Sequence, residues 1–199
     1  MVTGAMLASI SAVLFYFDFP LFFLPSFYKF DFSCVPVLIG SYAMGPVAGV
    51  ILEAFKILIK YLLKGTSTAG VGELAKFIID LSFILPAAVI YQIRKTKKSA
   101  IIGLVIASIC CVISGSLLNA FVLIPAYAQA FGGMERVIGS AAKTNSNITG
   151  VTSLVLLGAL PLNLLMSVSN SIIVILIYKP ISRIIKAFHN NEEKKADKQ

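Results

Sequence analysis

Long apolar runs alternate with short polar or charged breaks along this chain, and the breaks carry the punctuation of helix ends. The first run, Thr3 to Phe19, closes at Asp18-Phe19-Pro20. Next comes an aromatic stretch, Leu21 to Phe32, with Pro25, Lys29 and Asp31, which reads as a loop able to fold over a site. From Pro36 to Lys64 the chain is apolar again. Taken as one helix this segment is about 44 Å long at 1.5 Å per residue, which overshoots a hydrocarbon core of ~30 Å. Gly45-Pro46 interrupts it, so the pattern predicts one span over 35–44, a turn, and another over 46–63. After the loop Lys64 to Gly70, further spans are predicted over 71–93, 100–127 and 151–178, the fifth ending near Pro125 and the sixth broken at Pro161. A polar loop, Gly132 to Thr149, separates the last two.

The expected fold is therefore all-α: a single six-helix transmembrane domain over 1–188, with spans 3–19, 35–44, 46–63, 71–93, 100–127 and 151–178, and a charged tail over 189–199. Nothing basic precedes the first run and no small-residue cleavage site follows it, so it reads as a retained span and not a signal peptide.

Composition sharpens this picture. Of 199 residues 58% are hydrophobic and only 13% charged, against about 25% charged in ordinary soluble domains; the mean hydropathy is +0.91. Six spans with short loops use up this length and leave no room for a water-soluble catalytic domain. The net charge of +8 raises the question of nucleic acid, but the basic residues sit beside apolar runs, as in cytoplasmic loops. Arg94, Lys95, Lys97 and Lys98 together with the basic tail fall on one side under a six-span reading, against Lys29, Lys64, Arg136 and Lys143 on the other. The positive-inside rule thus places both termini in the cytoplasm and makes the bilayer, not nucleic acid, the partner. Cys34, Cys110 and Cys111 give neither a disulfide framework nor metal-ligand spacing. No phosphate-binding, zinc or nucleophile-elbow motif is present, so the sequence points to no enzyme, no cofactor and no ATP hydrolysis of its own.

Several polar side chains fall inside apolar runs, where they are costly unless paired or lining a cavity. Lys76 and Asp80 are four apart, so a helix brings them together. Glu73 and Lys76, Asn119 and Asn163 lie near the outer ends of three different spans, which suggests a polar-lined pocket opening outward; helix-to-helix hydrogen bonding is the plainer alternative. Glu53, Lys56, Lys60 and Lys64 mark one stripe, read as a Glu53–Lys56 pair with the outer lysines reaching toward head groups. Gly4, Ala8 and Ala12 line one helix face, suited either to packing within the chain or to docking of a partner helix. His189 lies in the basic tail, and Asn147-Ile148-Thr149 matches a glycosylation sequon.

The run Lys29-Phe30-Asp31-Phe32-Ser33-Cys34-Val35-Pro36-Val37-Leu38-Ile39-Gly40, followed by Gly45-Pro46-Val47-Ala48-Gly49-Val50-Ile51, resembles the signature of the riboflavin-binding S components of energy-coupling factor (ECF) transporters. Gly65 to Glu73, Gly115 to Pro125 and Pro161 to Leu165 resemble further stretches of that family, in order along nearly the whole chain. The resemblance implies a vitamin-binding subunit of the bacterial plasma membrane, docked on a transmembrane coupling subunit driven by two ABC-type ATPases, with riboflavin as transported ligand. It implies that Asn119 and Asn163 contact the ligand and that the aromatic loop is a lid. It also implies that Ala8 and Ala12, with Gly4, form the face that meets the coupling subunit. The substrate-binding set expected on this basis is Asn119, Asn163, Lys76, Asp80, Glu73, Asp31, Tyr127 and Met166. Relatives often carry Lys at the position of Met166, Asn at that of Lys76 and Asp at that of Cys34, so Lys76, oriented by Asp80, is expected to supply the polar contact that Met166 lacks. Another vitamin or a modified flavin such as FMN remains an alternative ligand. From a different class, a stand-alone proton-coupled carrier using Glu53 or the Lys76 and Asp80 pair is the competing reading.

Overall fold

The computed structural model describes residues 2–66 and 68–177. The predicted charged tail over 189–199 and the last residue of the sixth predicted span lie outside the described residues. Seven helices follow in order: α1 (Val2–Tyr16), α2 (Cys34–Met44), α3 (Pro46–Lys64), α4 (Val71–Ile93), α5 (Lys97–Phe131), α6 (Met134–Ala142) and α7 (Val151–Ile177). Three of them, α4, α5 and α7, are long and apolar enough to cross a membrane; α1 and α2 are shorter apolar helices. The side of α5 formed by Ile102, Val105, Ile109, Ile113 and Leu117 is exposed and wholly apolar, which in water would be a liability and in lipid is the correct solvent match.

Local chemistry explains the helix ends. Gly45 takes φ +99°, a conformation that glycine adopts without a Cβ penalty, and Pro46 opens α3 at a position where its missing N–H is not needed. Thr96 caps α5 by accepting a 3.2 Å hydrogen bond from the Ser99 N–H. α4 and α5 pack side by side through small residues: a Cβ on Gly103 would come within 3.0 Å of the Ala87 carbonyl oxygen, and Ala87, Ala88 and Ala107 are fully buried. Backbones approach this closely because packing and not the hydrophobic effect joins helices in lipid.

The structure corrects the reading of Pro125 as near the end of the fifth span and of Pro161 as a break within the sixth. Both helices continue through them, and each proline follows a single π-helical turn, Asn119–Leu123 in α5 and Val155–Ala159 in α7. There the Ile124 N–H donates to the Asn119 carbonyl and the Leu160 N–H to the Val155 carbonyl, one residue further back than in an α-helix. Widening the turn just before a proline relieves the clash of its ring with the preceding carbonyls. The polar stretch predicted as a loop between the last two spans also contains α6, whose Val137 and Ala141 are buried.

Two cores result. One joins α1 to α5 with the inner part of α7, around Leu38, Tyr42, Phe83, Ile84 and Leu104. The other lies toward the opposite end, where the loop between α1 and α2 inserts Leu24, Tyr28 and Phe30 among Ile124, Val137, Ile148 and Leu162. That loop is closed by a short antiparallel ladder, Phe19 opposite Phe30 and Pro20 opposite Lys29.

The small-residue face of α1 turns inward. Ala8 and Ala12 are buried at 4% and 1% exposure, Ala8 within the core that α1 shares with α2 and α3, and Gly4 faces Met44 and Leu52. Small side chains here let α1 approach its own neighbours closely.

Candidate functional site

Between the lid-like loop and helices α4, α5 and α7 lies a cavity of about 450 Å3, within the range of small-molecule sites. Asp31, Glu73, Lys76, Asp80, Asn119, Tyr127, Asn163 and Met166 all line it. Residues that lie far apart along the chain are thus brought to one enclosure, and each has a definable environment.

Lys76 and Asp80, four residues apart on α4, meet at 2.8 Å, and Lys76 Nζ also lies 3.3 Å from Asp31 Oδ2 at the end of the loop. Asp80 in turn accepts from Lys56 Nζ at 2.7 Å. Lys56 does not line the cavity; it is fully buried behind it, 2.7 Å from Glu53 and 3.2 Å from Ser33 Oγ. Ser33 completes the circuit by donating from both its N–H and its hydroxyl to Asp31 Oδ1. Three carboxylates and two ammonium groups thus form one chain of ion pairs across α3, α4 and the loop. Phe15 of α1 presents its ring to Lys56, Lys60 and Lys76 at 5.3, 4.9 and 5.6 Å, a cation–π contact that favours cations removed from water.

The predicted Glu53–Lys56 pair is present, but the outer lysines do not reach for head groups. Lys60 bonds Glu73 at 3.0 Å, and Lys64 bonds Asp18 at 2.6 Å. Carboxylates supplied by α4 and by the end of α1 are better partners than water at the membrane edge, and their arrival is a tertiary event that periodicity along α3 does not contain. Glu73 also accepts from the Thr66 hydroxyl at 2.7 Å, so its cavity-facing carboxylate is held from two sides.

The amides are set differently. Asn119 donates from Nδ2 to the Gly115 carbonyl at 2.8 Å and Asn163 to the Ala159 carbonyl at 2.8 Å. Each thereby commits one amide N–H to its own helix. Asn119 Oδ1 is buried and has no hydrogen-bond partner among the described residues. Glycine makes room for these side chains: a Cβ on Gly115 would fall 2.6 Å from the Asn163 amide, and one on Gly158 would fall 2.8 Å from the Tyr28 ring.

Aromatic walls come from the loop and the C-terminal end of α5. Tyr127 and Phe131 stack at 5.9 Å with 6° between their planes, and Phe27 packs on both. Tyr28, in the same loop, is 3% exposed with its hydroxyl unpartnered among the described residues, and burial raises its pKa above the ordinary tyrosine value.

Among the lining residues outside the predicted set are Phe15, Tyr28, Ser167 and Asn170. For Ser167 and Asn170 the signal was available, since Asn163, Met166, Ser167 and Asn170 stand at i, i+3, i+4 and i+7 on one helix face. For Phe15 and Tyr28 no local pattern distinguishes them from other aromatics.

The family model for the ECF transporter substrate-specific component matches residues 1–178. The chain belongs to that family. Among curated relatives, this substrate-specific component is 36% identical over 186 residues to the riboflavin transporter RibU of Staphylococcus aureus, covering 94% of this chain and 92% of that one. It is 34% identical over 180 residues to the riboflavin transporter FmnP of Bacillus subtilis, with 89% of each chain covered. Among solved structures it superposes with a TM-score of 0.71 at 34% identity on the S component of a bacterial ECF transporter, covering 93% of this chain and 96% of that one. As an ECF substrate-specific component the chain is a membrane protein that serves transport, not catalysis.

Proposed function

We propose that this S component captures riboflavin from outside the bacterial plasma membrane and releases it inward when a transmembrane coupling subunit with two ABC-type ATPases hydrolyses ATP. The observation that carries the reading is the cavity itself: aromatic and apolar walls from Tyr127, Phe83, Leu162 and Met166, with the amide side chains Asn119 and Asn163 among its lining. A flat heteroaromatic ring with an imide donor, carrying a hydroxylated chain, suits such a site. The relatives named as riboflavin transporters support the same ligand. Riboflavin here is cargo, and the proposal involves no cofactor.

In this reading Asn119, Asn163 and Lys76 make the polar contacts, Asp80 and Asp31 orient the Lys76 ammonium, and Glu73 and Tyr127 line the entrance. Six membrane-spanning segments with cytoplasmic termini complete it, supported by the Lys and Arg residues gathered at Arg94 to Lys98 and in the basic tail. Protein purified in mild detergent without added ligand, then titrated with riboflavin while tyrosine fluorescence and flavin absorption are followed, tests the ligand: saturable one-to-one quenching is expected, and no response overturns it. Uptake in cells lacking the ATPases separates this mechanism from a proton-coupled carrier, which would continue without them and collapse with the proton gradient.

A further inference from the structure

The segment Phe17 to Phe23 opens the loop over the cavity, and the side chains it exposes are apolar. Phe17, Phe19, Phe22 and Phe23 are all exposed, Phe22 at 93%. Its one charged residue, Asp18, is turned inward with 7% of its side chain exposed, 2.6 Å from Lys64 and 3.3 Å from Lys29. A contiguous exposed apolar patch marks a surface that meets something other than water.

The position of the patch says what it meets. Gly4 of α1 faces Leu52 of α3, and Lys64, the last residue of α3, donates to the carbonyl of Tyr16, the last residue of α1, at 3.3 Å. The two helices therefore run in the same direction. Side chains lean toward the N-terminus of their helix, so Lys64 reaches back to Tyr16, and α1 stops short of the end of α3. The non-helical chain after Tyr16 thus begins within the thickness that α3 spans, not above it. The Phe17 N–H still donates to the Val13 carbonyl at 3.2 Å, and Met6, Ile10, Val13 and Phe17 form one exposed stripe at i, i+4, i+7 and i+11. Phe17 also shares with Val13, Tyr16 and Leu63 an apolar recess of about 290 Å3 between α1 and α3. The patch is therefore continuous with the apolar side of the helices.

Charge marks its rim. Lys29 and Lys64 are partly exposed and share the single carboxylate of Asp18, which leaves this corner with a net positive charge. Apolar rings beside half-exposed ammonium groups match the boundary of a bilayer, where acyl chains meet phosphates.

We propose that Phe17 to Phe23 is a lipid anchor, with Phe17, Phe22 and Phe23 among the acyl chains and Lys29 and Lys64 at the phospholipid head groups. The far end of the same loop is held by protein, through Asp31 on Lys76 and Ser33 on Lys56. The cover of the cavity is thus fixed to the helices at one end and to the membrane at the other. This rests on the chain being a membrane protein and is independent of which ligand fills the cavity.

The chain has no tryptophan, so one introduced indole reports one position. Phe22→Trp is placed in nanodiscs of phosphatidylcholine, with bromine on the acyl chains as the lipid quencher and iodide as the water quencher. Ser146→Trp, at an exposed position of the loop between α6 and α7, is the comparison. Phe22→Trp is expected to emit to the blue of Ser146→Trp, to lose most of its emission to bromine placed near the head groups, and to lose little to iodide. Phe17→Trp carries the same test at the other end of the patch if Phe22→Trp does not fold. Iodide quenching without bromine quenching overturns the proposal, since the patch then faces water. Emission that neither quencher reaches overturns it too, since the rings are then covered by protein. Equal bromine quenching of Phe22→Trp and Ser146→Trp removes the distinction between the two loops and overturns it as well.

Discussion

Lys56 Nζ lies 2.7 Å from Asp80 Oδ2, with 0% and 4% of the two side chains exposed. Lys56 belongs to α3 and Asp80 to α4, and the bond ties the helix that carries Lys76 to the one behind it. Behind Lys56 stands Glu53, also at 2.7 Å and fully buried. Removing the cation leaves Glu53 buried without a counter-ion and Asp80 with Lys76 alone, whereas removing Glu53 leaves the Lys56–Asp80 pair intact. Lys56→Met is therefore expected to cost about 3–5 kcal/mol, read as a large fall in melting temperature in detergent, and Glu53→Gln clearly less, since the two ammonium groups stay matched by Asp80 and Asp31. Equal losses from the two would show that the network is not centred on Lys56.

Lys76 is the ammonium of this network that lines the cavity, with 18% of its side chain exposed and two of its donors engaged by Asp80 and Asp31. If its remaining donor reaches the ligand, Lys76→Ala weakens riboflavin binding by about tenfold or more, the size of a hydrogen bond to a charged group. Binding as tight as wild type in a fluorescence titration would remove Lys76 from the site.

Gly115→Ala places a methyl group 2.6 Å from the Asn163 amide. The amide must move, and overpacking of this kind costs about 1–3 kcal/mol, so riboflavin affinity is expected to fall. Gly139→Ala is the matched control, since a Cβ there meets nothing within 4 Å; it should be neutral or slightly stabilising, as alanine favours helix. Binding isotherms of the two variants side by side check the contrast.

The buried Tyr28 phenol predicts a pH dependence. Its pKa is raised in the folded protein, chiefly by burial and secondarily by Tyr127. Folding is therefore undisturbed by this group below about pH 10, the ordinary tyrosine value, and loses stability as pH rises above it, because the unfolded phenol ionises first. Tyr28→Phe removes both the titration and a hydroxyl without a partner. The alkaline limb of the melting-temperature profile is expected to shift to higher pH in the variant, and an unchanged limb would show that Tyr28 does not control it.

The helices were legible because their signals are local. Gly45-Pro46 divides α2 from α3 where one straight helix would have been too long, and α4 runs over Val71–Ile93 as the hydropathy pattern places it. The Lys76–Asp80 and Glu53–Lys56 contacts followed from helical spacing alone. Pro125, read as near a helix end, and Pro161, read as a break, both misled, since a proline interrupts a helix unless the preceding turn widens, and the sequence does not announce that widening. Ala8 and Ala12 show what such a pattern carries: a stripe of small residues says that something approaches closely, not what.

By itself the sequence determined the solvent, the helical class, the family and the residues that cannot remain unpaired in an apolar medium, because hydropathy, helix periodicity and charge are properties of neighbours in the chain. Only the tertiary structure decided which partner each of those residues meets. Lys60 finds Glu73, Lys64 finds Asp18 and Lys56 finds Asp80, while Asn119 and Asn170 keep buried amide oxygens with no hydrogen-bond partner among the described residues. The reason is physical: a charge in lipid is stable only against an opposite charge a few ångströms away, and distances of that size between separate helices are set by packing, not by position in the chain.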